Sequence, residues 1–149
     1  MPKKKKSKRS PKGALIKEAS RPIPIDLILD PVFRQDFHNE IRGAAGVYIL
    51  YKGRNVYYVG HSNKLFWALH SKTRNQHKNK WNKFAFFRVN NVRFLKDLKS
   101  LLIDAALPPG NEVSSRFYRA GDLTRAIQKF SEARRKTANK IVIAMGKSR

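Results

Sequence analysis

Lys64, Lys72, Arg74, His77, Lys78, Lys80 and Lys83 fall close together in the sequence with no acid among them. Ammonium, guanidinium and imidazole groups gathered in this way have one obvious chemistry, the holding of phosphate. The acid-free character extends well beyond the cluster. From Ile41 to Lys96 there is no Asp or Glu in 56 residues, and that stretch carries twelve Lys and Arg. A surface that is merely solvated mixes both signs, so the pattern points to a polyanionic partner, DNA or structured RNA.

The whole chain has 149 residues, 33 basic against 10 acidic, and a formal charge of +23. Residues 1–12 contribute seven basic residues and no acid, and without them the remaining 137 residues still carry +16. The folded part is therefore expected to be basic in its own right. A hydrophobic fraction of 41% with 11% aromatics is enough for one core, and excludes a wholly disordered chain. There is no cysteine, which excludes disulfides and Cys-ligated zinc. No apolar run approaches the ~18–20 residues of a membrane span. The basic N-terminus is not followed by an apolar stretch, so no secretory signal is expected. These readings place the protein inside the cell, in the cytoplasm on a nucleoid or RNA particle, or in a nucleus.

The elements that must position the cations follow from pattern. Residues 1–21 read as a disordered basic arm able to follow a phosphate backbone. Residues 22–43 read as an extended entry segment, Pro22 to Leu29, and a short helix. Asp30 supplies the N-cap and Pro31 the first turn. Val32, Phe33, Phe37 and Ile41 form the apolar stripe, and Gly43 stops it. Residues 44–112 change to a β pattern. Gly46–Lys52 and Asn55–Gly60, rich in Val, Ile and Tyr, flank a short Gly-containing loop and predict a hairpin. A helix capped by Ser62 or Asn63 runs to Ser71, with Leu65, Ala68 and Leu69 inward. A third strand follows from Trp81 to Val89, and Trp81 belongs to the core. A second helix runs from Arg93 to Leu107 with Phe94, Leu98, Leu101, Leu102 and Ala105 inward, ended by Pro108-Pro109-Gly110. Residues 113–149 form a basic helical extension capped at Gly121-Asp122, with Ile141–Met145 readable as helix or strand. The expected fold class is α/β (α+β), a β-β-α-β-α sandwich with an added N-terminal helix and a basic C-terminal helix.

The hairpin carries the one specific motif pair. Gly46-Val47-Tyr48 and, ten residues on, Tyr58-Val59-Gly60 resemble the paired triplets of the GIY-YIG nuclease superfamily. Pro108 to Asn111 resembles that domain's closing P-x-x-N. The resemblance spans about residues 44–112. It implies that Tyr48 would orient or activate a water and that Tyr58 would hold the phosphate or its neighbours. It also implies an Arg on the first helix, eight residues past the second motif's Gly. A Glu on the second helix, nine residues before the Pro, would bind Mg²⁺ or Mn²⁺.

At those two positions this chain has Ala68 and Lys99, in registers fixed by Leu69 and Ile103. Asp97 and Asp104 lie about 200° and about 140° around the helix from Lys99, and do not replace the Glu. The expectation is a catalytically degenerate GIY-YIG domain that binds phosphate backbone without cutting it. No metal or cofactor is expected. His61, next to the motif glycine, and Lys99 join the cationic cluster as candidate nucleic-acid contacts, with Asn111. Trp67 is a candidate to stack on a base. Two alternatives stand beside this reading. One is an active Mg²⁺- or Mn²⁺-dependent endonuclease with rearranged residues. The other is a basic component of an RNA–protein particle, or an adaptor for an acidic protein.

Overall fold

The computed structural model describes residues 13–111 and 123–147. The expected basic arm over 1–12, and the loop and cap over 112–122, lie outside those residues. The chain divides into two units, residues 1–117 and 118–149.

The first unit is built on an antiparallel sheet. Its strands are β1 (Ile16–Ala19), β2 (Ile23–Pro24), β3 (Gly46–Lys52), β4 (Asn55–Ser62) and β5 (Lys83–Val89). Their order is β1-β5-β3-β4, with β2 also pairing with β5. The helices are α1 (Asp26–Leu29), α2 (Pro31–Glu40), α3 (Leu65–Lys72) and α4 (Leu95–Ala106), the last entered through a 3-10 turn at Val92–Phe94. From β3 to α4 the order is β-β-α-β-α, as the sequence pattern predicts, and the protein is a mixed α+β fold.

Alternation along β3 divides the core in two. Tyr48 and Leu50 point to a cluster with Ile28, Phe37, Leu65, Leu69, Trp81 and Phe84. Val47 and Ile49 point to the opposite face, where Val59, Val89, Leu95 and Ile103 pack. Covered on both faces, β3 is buried from Gly46 to Leu50, which is why it reads as a continuous apolar run. The hairpin turns at Gly53, where φ is +62°, a conformation that glycine adopts without a Cβ penalty. Tyr57 is an extra residue in β4, because Leu50 pairs with Tyr58 and Tyr51 with Val56. This bulge lets Tyr57 and Tyr58 both pack on the α3 side.

Asp30 caps α2 as expected, its Oδ1 accepting from the N–H groups of Val32 and Phe33 at 2.9 and 3.3 Å. Four expectations need correction. The expected disordered arm does not extend to residue 21, because Ile16–Ala19 pairs with the free side of β5. Ser20 completes that pairing, its N–H donating to the Phe86 carbonyl and its Oγ accepting from the Phe86 N–H. The entry segment is extended only at Ile23–Pro24, after which Asp26–Leu29 is helical. On α2, Phe37 and Ile41 are buried but Val32 and Phe33 are exposed. On α4 the inward residues are Leu95, Leu98, Leu102 and Ile103, whereas Phe94, Leu101 and Ala105 are exposed. The 3-10 turn, capped by the Asn91 side chain at the Arg93 N–H, advances the phase of the stripe before the α-helix begins.

The second unit contains α5 (Thr124–Gly146). The Ile141–Met145 segment continues this helix. Among the described residues no helix is long and apolar enough to cross a membrane.

Candidate nucleic-acid interface

The motif triplets meet because β3 and β4 are in register. Tyr48 pairs with Gly60 and Val47 with His61. A Cβ on Gly60 would collide with the Tyr48 ring, and a Cβ on Gly46 would collide with the Phe87 carbonyl of β5. Both motif glycines are thus required by close approach. Tyr48 is only 3% exposed, and its ring centroid lies 6.1 Å from that of Tyr58. Burial pushes the Tyr48 hydroxyl pKa well above the ordinary tyrosine value, with the Tyr58 hydroxyl adding to the effect. The group stays protonated at neutral pH.

Around Tyr58 the structure gathers two of the expected cationic residues. Lys72, in the last turn of α3, places its Nζ 4.5 Å from the Tyr58 ring centroid, in cation–π range. The His77 ring lies 4.7 Å from that of Tyr58, and its Nδ1 is 2.8 Å from the Tyr57 hydroxyl. Ala68, at the position where the family resemblance implies Arg, packs against the same cluster. Trp81 is buried as expected, and its Nε1 donates to the Lys72 carbonyl at 3.2 Å.

His77 is not a surface contact. It is 5% exposed, held in the core between the two tyrosines, and drops out of the expected phosphate cluster. Lys78, Lys80 and Lys83 of that cluster are exposed. Asn111 is also reassigned. Its Oδ1 accepts from the Val59 N–H and its Nδ2 donates to the Val59 carbonyl, both at 2.9 Å. Beside it the Gly110 N–H donates to the Tyr57 carbonyl at 2.7 Å. Asn111 therefore spends its amide on the β4 backbone.

On the opposite face, His61 stands near α4. Its pKa is lowered by burial first, then by the charge of Lys99 and of Lys96. Its Nδ1 is buried without a hydrogen-bond partner. A hollow of about 400 Å³ opens here, lined by His61, Ser62, Asn63, Arg93 and Lys96 with Val92 and Leu95. Arg93 and Lys96 were missing from the sequence-derived set. Arg93, Lys96 and Lys99 follow one another at steps of three, so that Lys96 and Lys99 are neighbours on one side of α4, a signal the sequence did contain.

Lys64 and Arg74 belong to a third place, between α2 and α3. Lys64 flanks the start of α3, where its N–H donates to Ser62 Oγ at 2.9 Å. Arg74 follows the end of α3 and, with Arg34, depresses the His70 pKa after burial has done so. Trp67, between them, is 55% exposed.

No family model and no curated protein matches the chain. Among solved structures it is similar to two crystal structures of the GIY-YIG N-terminal endonuclease domain of UvrC from Thermotoga maritima, each a point mutant bound to the catalytic divalent cation. Identity is 23% and 22%, the match covers 53% of this chain and 98% of that one, and the TM-score is 0.44 in both cases.

Proposed function

We propose that this chain is a nucleic-acid-binding protein built on a degenerate GIY-YIG core, gripping phosphate backbone without cleaving it. The observation that carries this reading is the company of His61. Burial perturbs it first, and the charged groups that add to this are two ammoniums, Lys99 and Lys96, the latter lining the same hollow; Lys99 occupies the position where the resemblance calls for a metal-binding Glu. Among the described residues no three His, Cys, Asp or Glu side chains converge. A divalent cation does not fit this donor set. Two ammoniums repel it, and the orphan imidazole nitrogen is a lone ligand. The same groups suit an anion.

Tyr48 supports the reading from the other face. Its hydroxyl is buried, and that burial, with Tyr58 beside it, raises its pKa, which disfavours it as a base toward water near neutral pH. With Ala68 in place of Arg, that face offers no guanidinium from α3 to stabilise a charged phosphorane. The excess of basic residues remains, spread over exposed Lys78, Lys80 and Lys83.

Two measurements test the proposal. Fluorescence anisotropy with labelled DNA and RNA at several salt concentrations should give an affinity that falls steeply as salt rises, and polyglutamate should compete poorly. Plasmid incubated with the protein and Mg²⁺ or Mn²⁺ should stay supercoiled. Nicking that disappears in Tyr48→Phe would establish the active nuclease instead. Equal affinity for polyglutamate would establish the acidic-protein adaptor.

A further inference from the structure

Between α2 and α3 lie two hollows that share walls. The smaller, about 190 Å³, is lined by Arg34, His38, Trp67, His70 and Arg74 with Gln35 and Phe66. The larger, about 430 Å³, lies beyond Trp67 and carries Arg42 and Lys64. His38, Phe66 and Trp67 line both, so the indole borders a hollow carrying Arg34 and Arg74 and a hollow carrying Arg42 and Lys64. Neither hollow has an Asp or Glu in its lining.

The indole is braced in a particular way. Its neighbours Phe66, His38 and His70 have ring centroids 5.2, 5.4 and 6.1 Å away, at interplanar angles of 83°, 67° and 83°. All three contacts are edge-on, so none of these rings lies flat on the indole. A large aromatic left 55% exposed, contacted at its edges and not covered face to face by these neighbours, offers a stacking surface to another flat ring. Phosphates need cations within reach of the same ring, and Arg34 with Arg74, then Arg42 with Lys64, supply them in the two hollows. This combination of a π-face with flanking positive charge is how proteins hold single-stranded nucleic acid.

We propose that the α2–α3 groove binds an unpaired nucleotide within a nucleic-acid chain, its base stacked on Trp67 and its two neighbouring phosphates held by Arg34/Arg74 and Arg42/Lys64. A base inside a duplex is already stacked on both faces, so the groove selects single strands, loops or bulges over continuous helix. The inference rests on the nucleic-acid reading above and names which form of nucleic acid is taken. It makes the groove a site separate from the one beside His61.

The test uses the full chain and three labelled probes: a thymidylate 12-mer, a uridylate 12-mer and a 12-base-pair DNA duplex. The two single strands should bind more tightly than the duplex, and the stronger of them identifies DNA or RNA as the ligand. Trp67→Ala should weaken single-strand binding about fivefold to about a hundredfold and leave duplex binding nearly unchanged. Trp67→Phe, which keeps a stacking ring, should lose much less. Single strands should also quench the tryptophan emission of the wild type. In Trp67→Phe the residual emission comes from buried Trp81 and should not respond. Single-strand binding unaffected by Trp67→Ala, or a duplex bound as tightly as the single strands, would overturn the groove while leaving nucleic-acid binding in place. No binding to any probe would overturn both.

Discussion

Tyr48 and Gly60 face each other across the β3–β4 ladder, and the tyrosine ring fills the space that a side chain on Gly60 would need. The two motif triplets therefore make one physical object, a tyrosine laid over a glycine, whether or not any chemistry is performed there. Gly60→Ala is expected to destabilise the fold by about 1–3 kcal/mol, read from urea unfolding. Combining it with Tyr48→Ala should cost less than the sum of the two single changes, because the collision is gone. Strict additivity would show that the contact does not matter.

Asn111 and Val59 supply the second prediction. Asn111→Ala removes both hydrogen bonds to the Val59 backbone, at an expected cost of about 2 kcal/mol for a buried N–H and C=O left unpaired. Asn111→Asp keeps the acceptor but loses the donor, and should fall between. Because the amide is engaged with the backbone, affinity for nucleic acid measured well below the unfolding transition should be unchanged. A selective loss of binding in a fully folded Asn111→Ala would restore Asn111 to the interface.

Acid sensitivity is the third. His61 and His70 both have folded pKa values lowered from 6.5, first by burial and then by cationic neighbours. The unfolded chain takes up their protons more readily, so between the lowered values and 6.5 stability rises with pH. The melting temperature should fall as pH drops from about 7.5 through the histidine range. Lys99→Ala removes one depressing charge and should raise the His61 pKa in an NMR titration. It should also reduce the acid sensitivity. No change in the His61 titration would separate Lys99 from His61.

Leu107 ends α4 in the left-handed conformation, φ 47° and ψ 54°, with its side chain 79% exposed. Little packing is at stake, and glycine relieves the Cβ strain at such a cap. Leu107→Gly is expected to stabilise the first unit by about 0.5–1 kcal/mol. A destabilised variant would mean that the leucine makes a contact worth more than its strain.

The central fold was legible wherever local chemistry and tertiary packing agree. Asp30-Pro31 announces α2, and the Val-, Ile- and Tyr-rich runs on either side of Gly53 announce the hairpin. Leu65 and Leu69 mark the inner face of α3. The strand at Ile16–Ala19 was not legible, because a short, largely polar segment becomes a strand only when β5 presents its backbone. The inward face of α4 was misjudged by one position for a local reason, the 3-10 turn at Val92–Phe94. Ile141–Met145 looked ambiguous because β-branched residues suit both states, and the helix begun at Thr124 simply continues through them.

The site divided along similar lines. Exposed Lys78, Lys80 and Lys83 follow from charge alone. His77 and Asn111 are polar residues beside a motif, and nothing in their spacing reveals that one is packed between tyrosines and the other is bonded to a strand. Arg34 and His38, four apart on α2, share a helical side. Their pairing with Trp67 and His70 is made only when α3 packs beside α2.

The hydrogen bonds of Gly110 and Asn111 have one more effect. β4 is the last strand on its side of the sheet, and an outermost strand is a template on which another chain can extend the sheet. The Gly110 N–H takes the Tyr57 carbonyl, and the Asn111 amide takes both backbone groups of Val59. At those positions the template is already occupied by the chain itself. The P-x-x-N ending thus guards the protein against edge-to-edge aggregation, a safeguard independent of any nucleic acid and of any reaction.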